Sequence, residues 1–204
     1  MKKIIILAAV AIAALANTSC GGLLGVNLAD AESVQKHLPK LIEKHIDPQS
    51  VVTEISLMGT GDFTNSMDVA VVYYFEPGSE EIKGMNITLS GGAKHMRETK
   101  VLGSDAKRTP DTGIKLADVD FSKIASNIAE AVEFLADEDL PFDGIELYRI
   151  RVTGDPAETM HKFSLESKAG SEMSTKRGRL EHVTNYYTFE FEADADGNVE
   201  YVGE

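Results

Sequence analysis

The sequence predicts an α+β fold of two similar units, each a helix packed on a mainly antiparallel sheet of three to four strands. Three observations predict it. Two segments, near residues 31 and 120, carry apolar residues at helical spacing. Each is followed by a run of short strand-like segments with turn signals between them. Runs of strands after a helix, rather than regular strand-helix alternation, favour antiparallel meanders with the helix on one face.

The first unit spans 30–102. Its helix runs from about Ala31 to Ile46, with Val34, Leu38, Leu41, Ile42 and His45 recurring at helical spacing. Asp30 is the expected N-cap, and Asp47-Pro48 ends the helix. Pro39 lies inside the pattern, so the helix either kinks there or restarts with Pro39 in its first turn. Strands follow at Val51 to Met58, Asp68 to Glu76 and Ile82 to Ser90. In the third, Met85, Ile87 and Leu89 share one face and Asn86, Thr88 and Ser90 the other. Pro77-Gly78 marks the turn before it, and Lys94 to Leu102 is a weaker fourth strand.

Residues 103–118 mix Gly, Ser, Thr, Pro and both charges and read as a linker. The second unit spans 119–204. Its helix runs from about Asp120, the expected cap, to Ala136, with Phe121, Ile124, Ala125, Ile128, Val132 and Leu135 in one apolar stripe. Strands follow at Gly144 to Thr153, His161 to Ser167, Asn185 to Ala193 and Asn198 to Val202. Asp196-Gly197 is a tight-turn signal between the last two. The helix starts lie roughly ninety residues apart, a period that suggests two copies of one unit.

The N-terminus carries the address. Lys2 and Lys3 precede an uncharged apolar run from Ile4 to Ala16, too short for a bilayer span of roughly 20 residues. Residues 1–19 therefore read as a secretory signal peptide. Two cleavage sites compete. Ala14-Leu15-Ala16 fits ordinary signal peptidase, whereas Asn17-Thr18-Ser19-Cys20-Gly21 resembles the lipobox of bacterial lipoproteins, with Asn17 where that family usually has an aliphatic residue. The resemblance implies cleavage before Cys20 and acylation of its sulfur. Cys20 is the sole cysteine, so an exported chain cannot use it in an internal disulfide. Residues 20–29, with Gly21-Gly22, would form a tether. The same resemblance implies a membrane partner through the lipid anchor, on the periplasmic face of an outer membrane.

Beyond residue 19 the chain carries 18 basic and 33 acidic residues, a formal charge of −15. That balance excludes nucleic acid as a general partner, because phosphates require excess Lys and Arg. Four groups of side chains invite a functional reading. Lys168, Lys176, Arg177 and Arg179 form a basic cluster around a polar stretch, 169–184, that reads as a long hairpin loop and a partner-binding surface. Asp137, Glu138, Asp139 and Asp143 crowd the end of the second helix, where acids oppose the helix dipole, and form a weak cation site or a solvated loop. Asp194, Asp196 and Asn198 alternate like early ligands of a calcium loop, but Gly197 falls at the fourth position rather than the sixth, so a hairpin turn explains them. Tyr73, Tyr74, Phe75, Tyr186, Tyr187, Phe189 and Phe191 would line either a ligand groove or the core.

Catalytic patterns are weak. Glu158 and His161 have the spacing of half a di-iron motif without a second copy, and the remaining histidines, His37, His45, His95 and His182, are scattered. Ser33 and Lys36 match S-x-x-K without its companion elements. No catalytic residue, cofactor or metal is expected. Tyr186 to Tyr201, a strand, an Asp-Gly turn and a final strand, resembles PepSY-like periplasmic modules, and the helix-plus-meander pattern resembles β-lactamase-inhibitor-type repeats. Both resemblances imply an exported module that binds an unidentified protein or envelope ligand. An enzyme inhibitor or chaperone-like role is the alternative, and a hydrolase of unfamiliar type a third.

Overall fold

The computed structural model describes residues 25–59, 61, 63–88, 92–95, 108–155, 158–176 and 179–203; the side chains of 93, 95 and 171–184 lie outside that description. The signal segment and Cys20 also lie outside it.

Helix α1 (Ala31–Glu43) begins at Asp30, whose carboxylate accepts the N–H groups of Glu32 and Ser33. This satisfies two of the donors that a helix start leaves unpaired. Val34, Leu38 and Ile42 are its buried stripe. The helix runs through Pro39 and stops three residues before Ile46, which is nevertheless buried. Helix α2 (Lys123–Asp137) starts later than its apolar pattern suggested. Asp120 does not cap it; its carboxylate instead accepts the backbone N–H and hydroxyl of Ser122. Ile124, Ala125, Ile128, Ala131 and Leu135 face inward.

The strands are β1 (Val26–Asn27), β2 (Val51–Met58), β3 (Ser66–Met67), β4 (Val69–Phe75), β5 (Ile82–Thr88), β6 (Gly92–His95), β7 (Ile114–Lys115), β8 (Gly144–Arg151), β9 (Met160–Lys176), β10 (Arg179–Ala193) and β11 (Val199–Gly203). β1 and β3 form a small pair. The others form one nine-stranded antiparallel sheet in the order β11-β10-β9-β8-β2-β4-β5-β6, with β7 on the start of β2. Instead of separate sheets of three to four strands there is one. β2 and β8, the first long strand after each helix, pair from Glu54↔Arg151 to Met58↔Leu147. Left apart, each would expose a long unpaired edge.

A single core follows from that seam. Val34, Leu38 and Ile42 of α1 lie in the same apolar cluster as Ile124, Ile128 and Leu135 of α2, over Ile55, Leu57, Tyr148 and Phe163 of the sheet. The expected linker is part of this structure. Within 108–118, Leu116 is buried, its N–H bonds to the Ser50 carbonyl, and Ile114–Lys115 joins the sheet. Residues 103–107 lie outside the described set, as does most of the proposed strand Lys94 to Leu102.

The larger correction concerns 169–184. This stretch is not a loop. β9 and β10 stay in register from Arg179↔Lys176 to Ala193↔His161, with a bulge at Asn185/Tyr186 where Gly170 takes φ +145°. The polar composition hid the strands because it carries no apolar alternation for a strand to show. Their backbone is satisfied by each other rather than by burial.

Candidate functional site

β8 reaches β9 only as far as Glu166, and β11 reaches β10 only from Ala193 to Glu190. Beyond those points, 167–176 and 179–188 form a two-stranded ribbon that leaves the sheet. At about 3.3 Å per residue it projects roughly 30 Å. Among the described residues, both of its edges lack a sheet neighbour. A lone hairpin is marginally stable in water, so its base must be held.

The base is held by contacts from two segments. Asp143 Oδ2 accepts the Lys168 N–H at 2.7 Å, and Asp143 Oδ1 lies 3.5 Å from Lys168 Nζ. Glu166 Oε2 accepts the Phe63 N–H at 2.9 Å. The Phe63 ring meets Tyr186 edge-on at 5.6 Å, and Lys168 Nζ sits 4.5 Å above that ring. Phe63 adopts φ +54°, a conformation with a real cost for a bulky residue. A Cβ on Gly144 would lie 2.6 Å from Phe63 Cα, so glycine is required there for the loop to seat on β8. Gly144→Ala should therefore cost about 2 kcal/mol, as overpacked sites do, readable as a lower urea midpoint.

Two of the sequence candidates thus meet: Asp143 from the acidic group and Lys168 from the basic group neutralise one another. Lys176 and Arg179 are cross-strand partners at the ribbon tip, with side chains outside the described set, and Arg177 lies outside it entirely. Asp137, Glu138 and Asp139 lie at the end of α2. There the Leu140 N–H bonds to the Leu135 carbonyl and the Asp139 N–H to the Ala136 carbonyl, a Schellman closure. Asp139 takes φ +57° where glycine is usual. Asp139→Gly should raise stability by about 1 kcal/mol in a urea titration, by relieving the left-handed strain and removing an acid from the helix C-terminus. Among the described residues no group of three or more His, Cys, Asp or Glu converges as a metal site.

On the outer face of the seam, Glu54 links both halves. Arg108 Nη2 lies 2.7 Å from Glu54 Oε2, and both side chains are nearly buried. Arg149 Nε lies 3.6 Å from Glu54 Oε1 and donates to Ser56 Oγ at 3.3 Å. The Arg108 guanidinium covers the Tyr73 ring at 4.7 Å.

On the core side lies a polar chain that no motif or spacing in the sequence marks. Asn127 Nδ2 donates to Tyr148 Oη at 3.0 Å, and Tyr148 Oη is 2.9 Å from His161 Nδ1. Asn127, Tyr148 and His161 are all buried. Burial pushes the Tyr148 hydroxyl well above its ordinary pKa of 10, and the hydrogen bond from Asn127 opposes this. Burial likewise pushes His161 down from 6.5 to about 4, with Asp120 opposing and Lys123 assisting. With the imidazole neutral, the tautomer protonated at Nε2 satisfies the pair: Tyr148 accepts from Asn127 and donates its own hydrogen to Nδ1, whereas the other tautomer would leave the phenol hydrogen without that acceptor. Asn127 Oδ1 is left without a partner. His161 also borders a cavity of about 60 Å³ lined by Ile114, Asp118, Val119, Asp120, Lys123 and Thr159 among others. It has room for a few waters and is well under the roughly 300–1,000 Å³ of a substrate pocket. His161 is thus a structural group inside the sheet, and Glu158 interacts instead with Thr153.

The remaining candidates resolve as turns or packing. Asp194 Oδ1 accepts the N–H groups of Asp196, Gly197 and Asn198, and Oδ2 accepts Asn198 Nδ2 at 2.7 Å. Those bonds, Asn198's foremost, hold its carboxyl below the ordinary range and make a hairpin turn. Ser33 Oγ accepts the Asn27 N–H. Of the aromatic candidates, Tyr74, Phe75 and Phe191 are core, whereas Tyr186 and Tyr187 are exposed. His182 and His95 have side chains outside the described set. No helix among the described residues is long and apolar enough to cross a membrane. No family model, curated protein or solved structure matches this chain.

Proposed function

We propose that this chain is a non-enzymatic lipoprotein of the bacterial cell envelope, exported, anchored through Cys20 in the outer membrane and facing the periplasm. In this reading it binds a protein or another envelope ligand through the β9–β10 ribbon. The ribbon is the observation that carries the reading. Its strands are 17 and 15 residues long, about three times the usual length, and they run on past β8 and β11, their sheet neighbours. Free strand edges on a clamped base offer main-chain pairing to a partner strand. Lys176 and Arg179 at the tip, with Arg177 between them in sequence, add a basic end to an acidic chain.

The strand order also supports a duplicated unit. On either side of the β2–β8 seam stands a meander of four strands, preceded in sequence by one helix. The alternative is an enzyme inhibitor or chaperone-like module, favoured by the same feature, because a projecting hairpin can enter a partner's cleft.

Three experiments test the proposal. Metabolic labelling with a fatty acid should mark the wild-type chain and not Cys20→Ala; label kept in the variant defeats the anchor. A chain in which an Asn-Gly turn replaces 171–184 between the paired residues Gly170 and Asn185 should fold and lose envelope cross-links made from Ala169, an exposed position it retains. Turnover of an envelope substrate that a single polar substitution abolishes would sink the non-enzymatic reading.

A further inference from the structure

A second surface lies at the opposite edge of β10. β11 is the last strand of the sheet, and its outer edge is unpaired among the described residues. Beside it stands a run of aromatic rings. Phe134 of α2 stacks on Tyr201 at 5.3 Å, Tyr201 lies 6.2 Å from Phe189, and Phe189 lies 6.3 Å from Tyr187. Phe191 forms the buried floor. Phe134, Tyr201 and Tyr187 are 37 %, 39 % and 55 % exposed. Contiguous exposed rings of this kind mark interaction surfaces.

Charge selects the occupant. The helix-surface neighbours of Phe134 at −4, +3 and +4 are Glu130, Asp137 and Glu138, all exposed, and Glu133 adjoins it. Apart from Lys123 at the start of α2, whose ammonium donates to the Asp196 carbonyl at the far end of β11, no Lys or Arg occurs from Lys123 to Tyr148 or from Leu180 to Glu204, the two segments that build this flank. An acidic segment or an anionic lipid surface would be repelled there. A purely apolar segment would desolvate the carboxylates without pairing them. Lys and Arg side chains satisfy both features, since their stems and cations pack on aromatic faces while their heads reach the acids.

We infer that the α2–β11 flank docks an extended cationic segment of a partner protein, which adds a strand to β11 and lays its Arg or Lys side chains across Tyr201 and Phe134 toward the acids of α2. This does not rest on the outer ribbon, 171–184; Tyr187, at the ribbon's base, is shared by the two surfaces and is kept when that stretch is removed.

The probe is a fluorescein-labelled twelve-residue peptide of alternating Arg and Val, titrated into the full-length chain by anisotropy. Saturable binding is expected, with an alternating Glu-Val peptide silent. Tyr201→Ala and Phe134→Ala should each weaken it about tenfold, as truncation of a buried anchor does. Tyr187→Ala, at the most exposed ring, should weaken it with an unchanged urea midpoint. Neutralising Glu133, Asp137 and Glu138 together should flatten its salt dependence. The chain lacking 171–184 should bind the peptide as the wild type does. Equal binding to Tyr201→Ala and Tyr187→Ala would reduce the effect to diffuse charge and overturn the inference. So would loss of binding on removing the ribbon, or self-association of the chain that Tyr201→Ala abolishes, which would seat a second copy on the flank.

Discussion

Tyr148→Ala should destabilise the protein by about 4 kcal/mol, the range for emptying a large aromatic site in a core. Tyr148 is fully buried and stacks on Phe163 at 5.0 Å; Phe163 stacks in turn on Phe191 at 5.6 Å. The column runs from the seam strand β8 through β9 to β10 within one half of the sheet; across the seam Tyr148 is the register partner of Leu57 on β2, and its hydroxyl bonds to Asn127 of α2. With a urea slope of about 2 kcal/mol per molar, the midpoint should fall by about 2 M. Tyr148→Phe separates packing from polarity. The ring stays, but Asn127 Nδ2 and His161 Nδ1 lose their shared partner inside the core. That should cost about 1–3 kcal/mol. If the phenylalanine variant proves as unstable as the alanine variant, the hydroxyl and not the stack dominates. If alanine costs under about 2 kcal/mol, the site collapses and the column is not continuous.

Local chemistry was legible in the sequence, and pairing was not. Asp30 and the Val34, Leu38, Ile42 stripe locate α1 because a cap and a helical period are written within a dozen residues. β5 shows its alternation because one face is buried, and Asp196-Gly197 shows its turn because the left-handed position needs glycine, φ +90°. The β2–β8 seam carries no such mark. Its partners lie nearly a hundred residues apart, and either strand would read the same beside another neighbour. The ribbon was misread for a related reason: 169–184 has no apolar alternation, since that pattern reports burial and not pairing. Asn127, Tyr148 and His161 sit on three elements, each at a position that looks like ordinary stripe or strand. Only the fold brings them to one point. Phe63, with neither a glycine nor an asparagine to advertise its positive φ, was equally silent.

Acid should weaken this fold well above the range where carboxylates titrate. In the folded protein His161 is held neutral down to about pH 4, chiefly by burial, while in the unfolded chain it titrates at its ordinary 6.5. Between those values the unfolded state binds a proton that the folded state refuses, so stability rises with pH across that window. The contribution is complete above pH 6.5, is lost progressively as pH falls, and is exhausted near pH 4. The interval is worth about 3 kcal/mol at the standard conversion. The geometry explains the refusal. A protonated His161 would donate from Nδ1 to the Tyr148 oxygen, which already accepts from Asn127 Nδ2, leaving the phenol hydrogen without an acceptor unless the Asn127 amide turned over. Asp118, Asp120 and Lys123 border the same cavity, and the two charges that act on His161, Asp120 and Lys123, oppose one another, so neither sign prevails over burial. Urea titrations from pH 7.5 to 4 should show the midpoint falling mostly between 6.5 and 4.5. His161→Gln should be less stable at pH 7.5 but nearly flat across that window. A variant that keeps the full slope would assign the acid sensitivity to another group.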